Sequence, residues 1–235
     1  MNRAKAAQRI SNLKSEISNL RLSLLFILSF FILPPLSTHA FTQRSEVDLL
    51  IQKIESRYGQ MRGLAADFEQ VYSMPGVRAE RRERGTLVLR RPRMMRWEYE
   101  SGKLFIVNNR EVWFYVPADR TATHAQASEV EDARFPFLFL LSQTSLKRVS
   151  RSITLAANDE QSGTRTLRII PREGVGVREV LLEIYMDGRV SRVRTTDNGG
   201  AVSEISLTNL RENFIAPLTA FQFQPPAGVT VREMR

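Results

Sequence analysis

A chain of 235 residues with no cysteine and only two histidines excludes several kinds of chemistry at the outset. It can form no disulfide framework, thiol nucleophile or thiolate metal site, and it has no histidine pair to spare for a metal or a catalytic triad. Its 34 basic and 25 acidic residues give a net charge of +9, but the surplus is concentrated at one end.

That end carries Arg3, Lys5, Arg9, Lys14 and Arg21, followed by an apolar run from Leu22 to Leu33 and then Pro34-Pro-Leu-Ser-Thr-His-Ala40. Basic, apolar and small-residue segments in that order match a secretory signal peptide. The apolar run has 12 residues, well short of the roughly 20 that span a bilayer. The expectation is a signal peptide over residues 1–40 and a single exported domain over residues 41–235, with its net charge reduced to +5. Without a cysteine to acylate, the mature chain is expected to be freely soluble rather than lipid-anchored.

Ser45-Glu-Val-Asp48 reads as a helix start, an N-cap serine with a carboxylate three residues on. Val47, Leu50, Ile51, Ile54 and Tyr58 then recur at helical spacing, which predicts one amphipathic helix ending at Gly59. Nearly everything afterwards alternates with period two. Leu64, Ala66 and Phe68 oppose Asp67 and Glu69. Leu87, Leu89, Met95, Trp97 and Tyr99 share one face. Leu104–Val107 precedes an Asn108-Asn109 turn, and Val112–Val116 stops at Pro117. Further strands are predicted at Ile153–Ala157, Thr166–Ile170, Val177–Met186, Arg189–Thr196 and Ser203–Leu210, with hairpin turns at Asp187-Gly188 and Asn198-Gly199-Gly200. Many short strands on tight turns indicate an antiparallel sheet, curled or closed. Phe135-Pro-Phe-Leu-Phe-Leu-Leu141 breaks the rhythm as a short helix, apolar on all sides, that must be buried or must cover something apolar.

No catalytic or metal site emerges. His39 lies in the signal segment, and His124 reads as a lone surface-loop histidine. Gly174-Val-Gly176 is a turn, too short for a phosphate loop. Asp67 with Glu69, and Glu98 with Glu100, fall on solvent faces. The run Arg78-Ala-Glu-Arg-Arg-Glu-Arg84 is interrupted by glutamates and belongs to an exported chain, which argues against nucleic acid. It reads as a solvated hairpin, with a docking patch for an acidic partner as the alternative.

Arg91 is the anomaly, because it falls in phase with the apolar set of Leu87 to Tyr99. An unpaired buried charge costs several kcal/mol, so its guanidinium must find carbonyls or water inside the face. Trp113 and Tyr115, or their neighbours Val112, Phe114 and Val116, extend that face. Either a filled core or a cavity with a polar latch fits these residues, and Arg91 favours the latch.

Ala66-Asp-Phe-Glu-Gln70, Gly85-Thr-Leu-Val-Leu-Arg-Arg-Pro92, Met95-Arg-Trp97, Val112-Trp-Phe-Tyr-Val-Pro117 and Phe221-Gln-Phe-Gln-Pro-Pro-Ala-Gly-Val-Thr-Val231 together resemble the LolA family of periplasmic carriers of outer-membrane lipoproteins. The resemblance runs from about Val47 to Val231. It implies a mainly β fold, an incomplete (unclosed) antiparallel β-barrel covered by an α-helical lid, without cofactor, metal or catalytic residues. It implies a periplasmic, monomeric chaperone that sequesters the acyl chains of lipoproteins in a hydrophobic cavity. The donor would be an inner-membrane lipoprotein-releasing ABC transporter, and the recipient an outer-membrane lipoprotein receptor. Arg91, before Pro92, takes the position of the family's lid latch. Met95 takes that of a large apolar residue beside the cavity mouth. Leu87, Leu89, Met95, Trp97, Tyr99, Trp113 and Tyr115 would line the cavity. Leu50, Ile54 and Tyr58 would face it from the helix, and Phe137, Leu138 and Leu141 would belong to the lid. A carrier of another lipid or glycolipid, or a lipid- or lipoprotein-sensing module of the same fold, are the alternatives.

Overall fold

The computed structural model of the protein describes residues 38–126, 145–159, 161, 163–172 and 176–233. The predicted signal peptide up to Ser37 and the apolar turn Phe135–Leu141, with Phe137, Leu138 and Leu141, lie outside the described residues. Every strand among the described residues belongs to the unit Gln43–Arg235.

Helix α1 spans Thr38–Gln60. It starts well before the predicted Ser45, which therefore sits inside the helix and is no N-cap; the apolar stripe begins only at Val47, so the first turns carry no periodic signal. Among the described residues twelve strands follow: β1 (Gly63–Ser73), β2 (Arg81–Arg90), β3 (Met94–Tyr99), β4 (Leu104–Val107), β5 (Glu111–Val116), β6 (Thr121–Gln126), β7 (Ser150–Asp159), β8 (Thr164–Pro171), β9 (Val177–Tyr185), β10 (Val190–Asp197), β11 (Val202–Glu212) and β12 (Thr230–Glu233). A one-turn helix, α2 (Leu146–Val149), precedes β7.

The strands form one sheet in the order β12-β6-β5-β4-β3-β2-β1-β11-β10-β9-β8-β7. All neighbours are antiparallel except β12, which runs parallel to β6. The order is linear, with β7 and β12 at its two ends, so the barrel is unclosed as expected. Laid flat, twelve strands at about 4.8 Å spacing would be more than ~50 Å wide, whereas a helix with its side chains is only about 10 Å across. Yet one apolar core joins Leu50, Ile54 and Tyr58 of α1 to Val107, Val112 and Ala125 on β4–β6 and to Ile153 and Leu155 on β7. The sheet must therefore curl around the helix.

The hairpin turns fall where the sequence places them. Asn108 closes its turn by accepting the N–H groups of Arg110 and Glu111 on its side-chain oxygen. The Asp187-Gly188 turn docks on the helix. Gly188 has φ +86°, and a Cβ there would meet the backbone of Lys53 at 2.9 Å, so only glycine allows the approach.

Candidate functional site

The concave face is built by alternation. Register pairs Leu87 with Trp97 and Leu89 with Met95 across β2 and β3, and Met95 with Val107 and Trp97 with Phe105 across β3 and β4. Leu87, Leu89, Met95 and Trp97 are all buried in the core shared with α1, and Tyr99 packs at its margin. Phe68 of β1 meets Trp97 and Tyr99 edge-on, with ring centroids 4.7 and 5.0 Å away. Its period-two spacing with Leu64 and Ala66 carries that signal in the sequence.

Trp113 and Tyr115 do not join this face. β5 pairs with β4 so that Val112 stands opposite Val107 and Phe114 opposite Phe105. Val112 and Phe114 thus take the concave side, while Trp113 and Tyr115 point to the convex side. There both contact Phe223 of the C-terminal segment, at 5.5 and 5.4 Å between centroids. His124 is likewise no lone loop residue. It lies on β6, stacks on Trp113 at 4.2 Å, and brings its Nδ1 within 3.0 Å of the Glu233 carboxylate.

The predicted helix residues Leu50, Ile54 and Tyr58 are buried on the inner face of α1. Arg91 sits in the turn between β2 and β3 and reaches the end of this helix. Its Nε donates to the carbonyl of Met61 at 2.6 Å, and a terminal nitrogen donates to the carbonyl of Tyr58 at 2.7 Å. Tyr58 lies in the last turn of α1, where carbonyls carry the negative end of the dipole, and Met61 directly follows the helix; the Tyr58 carbonyl also accepts the Met61 N–H at 3.2 Å. The in-phase arginine is therefore satisfied by backbone carbonyls at and just beyond the helix end.

Tyr58 ties the helix to the other half of the sheet as well. Its hydroxyl accepts the backbone N–H of Val190 at 3.0 Å, at the start of β10. Lys53 donates to the Met186 carbonyl at 2.7 Å, and Arg57 bonds Glu212 at 2.6 Å. Glu55 accepts the Ser145 hydroxyl and the Leu146 N–H, both at 2.9 Å. The clamps of Lys53, Glu55 and Arg57 come from outside the helix's apolar stripe, where sequence spacing gives no clue to partners.

Burial pushes the Tyr58 phenol up to about 12, against the Val190 N–H, which favours the anion. Burial also raises Tyr99 to about 12, helped by the Glu83 carboxylate. An unfolded tyrosine ionises near 10. Between roughly 10 and 12 the unfolded chain holds fewer protons than the folded one, so stability falls as pH rises through that window and is intact below it. A two-unit difference corresponds to about 2.7 kcal/mol per tyrosine. Tyr58→Phe should flatten this alkaline loss by about half, measured by urea denaturation across the window; an unchanged slope would rule out Tyr58 as a source.

The family model and the curated relatives agree on one family. The chain matches the LolA family model, described as outer membrane lipoprotein carrier protein LolA, over residues 59–224. It is 28% identical over 207 residues to an outer-membrane lipoprotein carrier protein of Methylococcus capsulatus, covering 87% of this chain and 97% of the relative. It is 25% identical over 185 residues to the protein of the same description from Pseudoalteromonas translucida, covering 77% of this chain and 85% of that one. Among solved structures, a LolA superfamily protein from Nitrosomonas europaea aligns with 75% of this chain and 97% of its own, at 12% identity and a TM-score of 0.43.

Proposed function

Because the chain belongs to the LolA family of outer membrane lipoprotein carrier proteins, we propose that it carries lipoproteins between the two membranes with their acyl chains held against the concave face. The observation that supports this most is the Arg91 clamp on the carbonyls of Tyr58 and Met61. α1 now covers Leu87, Leu89, Met95 and Trp97. If α1 swings away, those side chains are uncovered together, and acyl chains can replace the helix in contact with them. Burying an apolar side chain contributes roughly 1.5–3 kcal/mol, so the helix and the cargo compete for the same surface. Arg91 biases that competition toward the helix, which lets the carrier give its cargo up.

The donor in this scheme is an inner-membrane lipoprotein-releasing ABC transporter, and the acceptor an outer-membrane lipoprotein receptor. The carrier works in the periplasm, exported by the segment ending near Ala40, and as a monomer. Its work is binding and transfer rather than catalysis.

Native mass spectrometry of the protein isolated from its own periplasm tests this directly. The expected result is a mature chain beginning at or near Phe41, with a fraction carrying an acylated protein. A free lipid or glycolipid in its place would make it a carrier of another cargo. A chain that remains empty even beside its donor membranes would make it a sensing module.

A further inference from the structure

The hairpin joining β1 to β2 lies at the opposite end of β1 from the Arg91 clamp. Gly63 pairs beside Arg90, whereas Tyr72 pairs with Arg81, and eleven residues of strand separate the ends by about 30 Å. Its turn is closed by the Val77 N–H donating to the Met74 carbonyl at 3.1 Å. The turn exposes Met74 by 47% and Val77 by 49%, with Tyr72 at 37% on the arm behind. Pro75 rests against Gly200 of the β10–β11 turn, so the tip is supported from one side.

The charges behind the tip are unequal. Glu69 binds both Arg82 and Arg84, Glu80 binds Arg82, and Glu83 binds Lys103. Arg78 and Arg81 are exposed and have no ion pair among the described residues. The carboxylates of Glu69, Glu80 and Glu83 are thus already engaged, and the two charges of residues 69–84 left without an ion pair are both positive. An apolar turn with cations immediately behind it has the order of a bilayer interface met from water, where anionic headgroups lie outside acyl chains. A hairpin turn projects from the end of its two strands, and a deformable lipid surface needs no groove to receive it.

The geometry points to a membrane-touching hairpin: Met74 and Val77 dip into the surface of a bilayer rich in anionic phospholipid while Arg78 and Arg81 engage its headgroups. This goes beyond the carrier reading, since it concerns where the protein pauses rather than what it holds. It leaves the clamp end of the barrel turned away from the contact and free.

The test is co-sedimentation of the exported protein with vesicles of phosphatidylcholine alone and of an equal mixture with phosphatidylglycerol, neither containing lipoprotein. Binding is expected to the mixed vesicles only, and to weaken with salt. One basic residue at an anionic surface is worth about fivefold in affinity, so R78Q with R81Q should weaken binding roughly 25-fold. M74S with V77S should weaken it at least tenfold while the fold, read by circular dichroism, is kept. R93Q with R110Q removes the same charge from exposed turns at the opposite end of the sheet and should change binding by less than about twofold. Equal binding to pure phosphatidylcholine, or equal loss in the R93Q/R110Q control, would overturn the proposal. So would tip variants that bind vesicles normally. Tip variants that lose lipoprotein transfer when the wild type binds no vesicle would also overturn it, and would make the hairpin a protein-docking surface instead. Each of these outcomes leaves the cargo mass found on the periplasmic protein unaffected.

Discussion

Met95→Glu is expected to abolish cargo binding, whereas Met94→Glu, one residue away, should destabilise the protein and leave cargo binding in the folded fraction intact. Both methionines are buried, Met95 fully and Met94 at 5% exposure, but they face opposite sides of β3. Met95 belongs to the core shared with α1, opposite Leu89 and Val107. Met94 belongs to a small separate cluster with Ala216 and Phe221 under the C-terminal segment. A carboxylate in either place must be hydrated, protonated or paired, at a cost on the order of 2–4 kcal/mol. The energetic insult is therefore similar and the location differs. Circular dichroism and urea denaturation measure the first quantity, and cargo retained per folded carrier measures the second. Equal cargo loss in the two variants would mean that general destabilisation is responsible and that the concave face is only a core. A Met95→Glu carrier that is folded and fully active would exclude both possibilities.

Much of this face was legible from period two alone. Leu87, Leu89, Met95, Trp97 and Tyr99 stay in phase across two strands because Leu89 pairs directly with Met95, so the intervening turn preserves the alternation. The same counting failed at β5. Both of its faces are apolar, since Phe223 covers Trp113 and Tyr115 from outside while Val112 joins the core. Alternation between two greasy sets does not say which is inside; the larger rings were the natural choice and the wrong one. β6 carries no readable apolar stripe, because its buried residues are Ala122 and Ala125, small and on opposite faces. In β12 all of the side chains are exposed, so it carries no apolar pattern at all. His124 reads as a loop residue because β6 carries no apolar stripe; Trp113 stands directly across the β5–β6 hairpin from it, and Glu233 comes from the distant β12. Arg91 could be recognised because a charge breaking an apolar phase is a rare signal, and its answer is a backbone carbonyl, which every helix end supplies.

Arg91→Leu should convert the carrier from one that delivers into one that retains. The guanidinium makes two charge-assisted bonds to the carbonyls of Met61 and Tyr58. Such bonds contribute roughly 1.5–3 kcal/mol each, although the half-buried position of Arg91 and the access of water to helix-end carbonyls reduce that share. Their loss should lower the stability of the empty carrier by about 1–3 kcal/mol, read as a shift in urea midpoint. Cargo affinity should move the other way. Loading no longer breaks the clamp, and a buried leucine adds roughly 1.5–3 kcal/mol of apolar contact. Since 1.4 kcal/mol is tenfold, cargo should be held about ten to a hundred times more tightly. The variant therefore loads and then stalls, and it should be recovered from the periplasm with lipoprotein attached. Arg91→Lys should fall between, because an ammonium keeps the charge but not the planar fork that reaches two carbonyls at once. The measurement is cargo remaining per carrier after incubation with receptor-bearing membranes, set beside the stability of each empty variant. Opposite shifts in the two quantities are the signature of a clamp that competes with cargo. If Arg91→Leu weakens the fold yet releases cargo as readily as wild type, Arg91 merely finishes a helix, and the competition between α1 and acyl chains is governed elsewhere along the clamps at Lys53, Glu55 and Arg57.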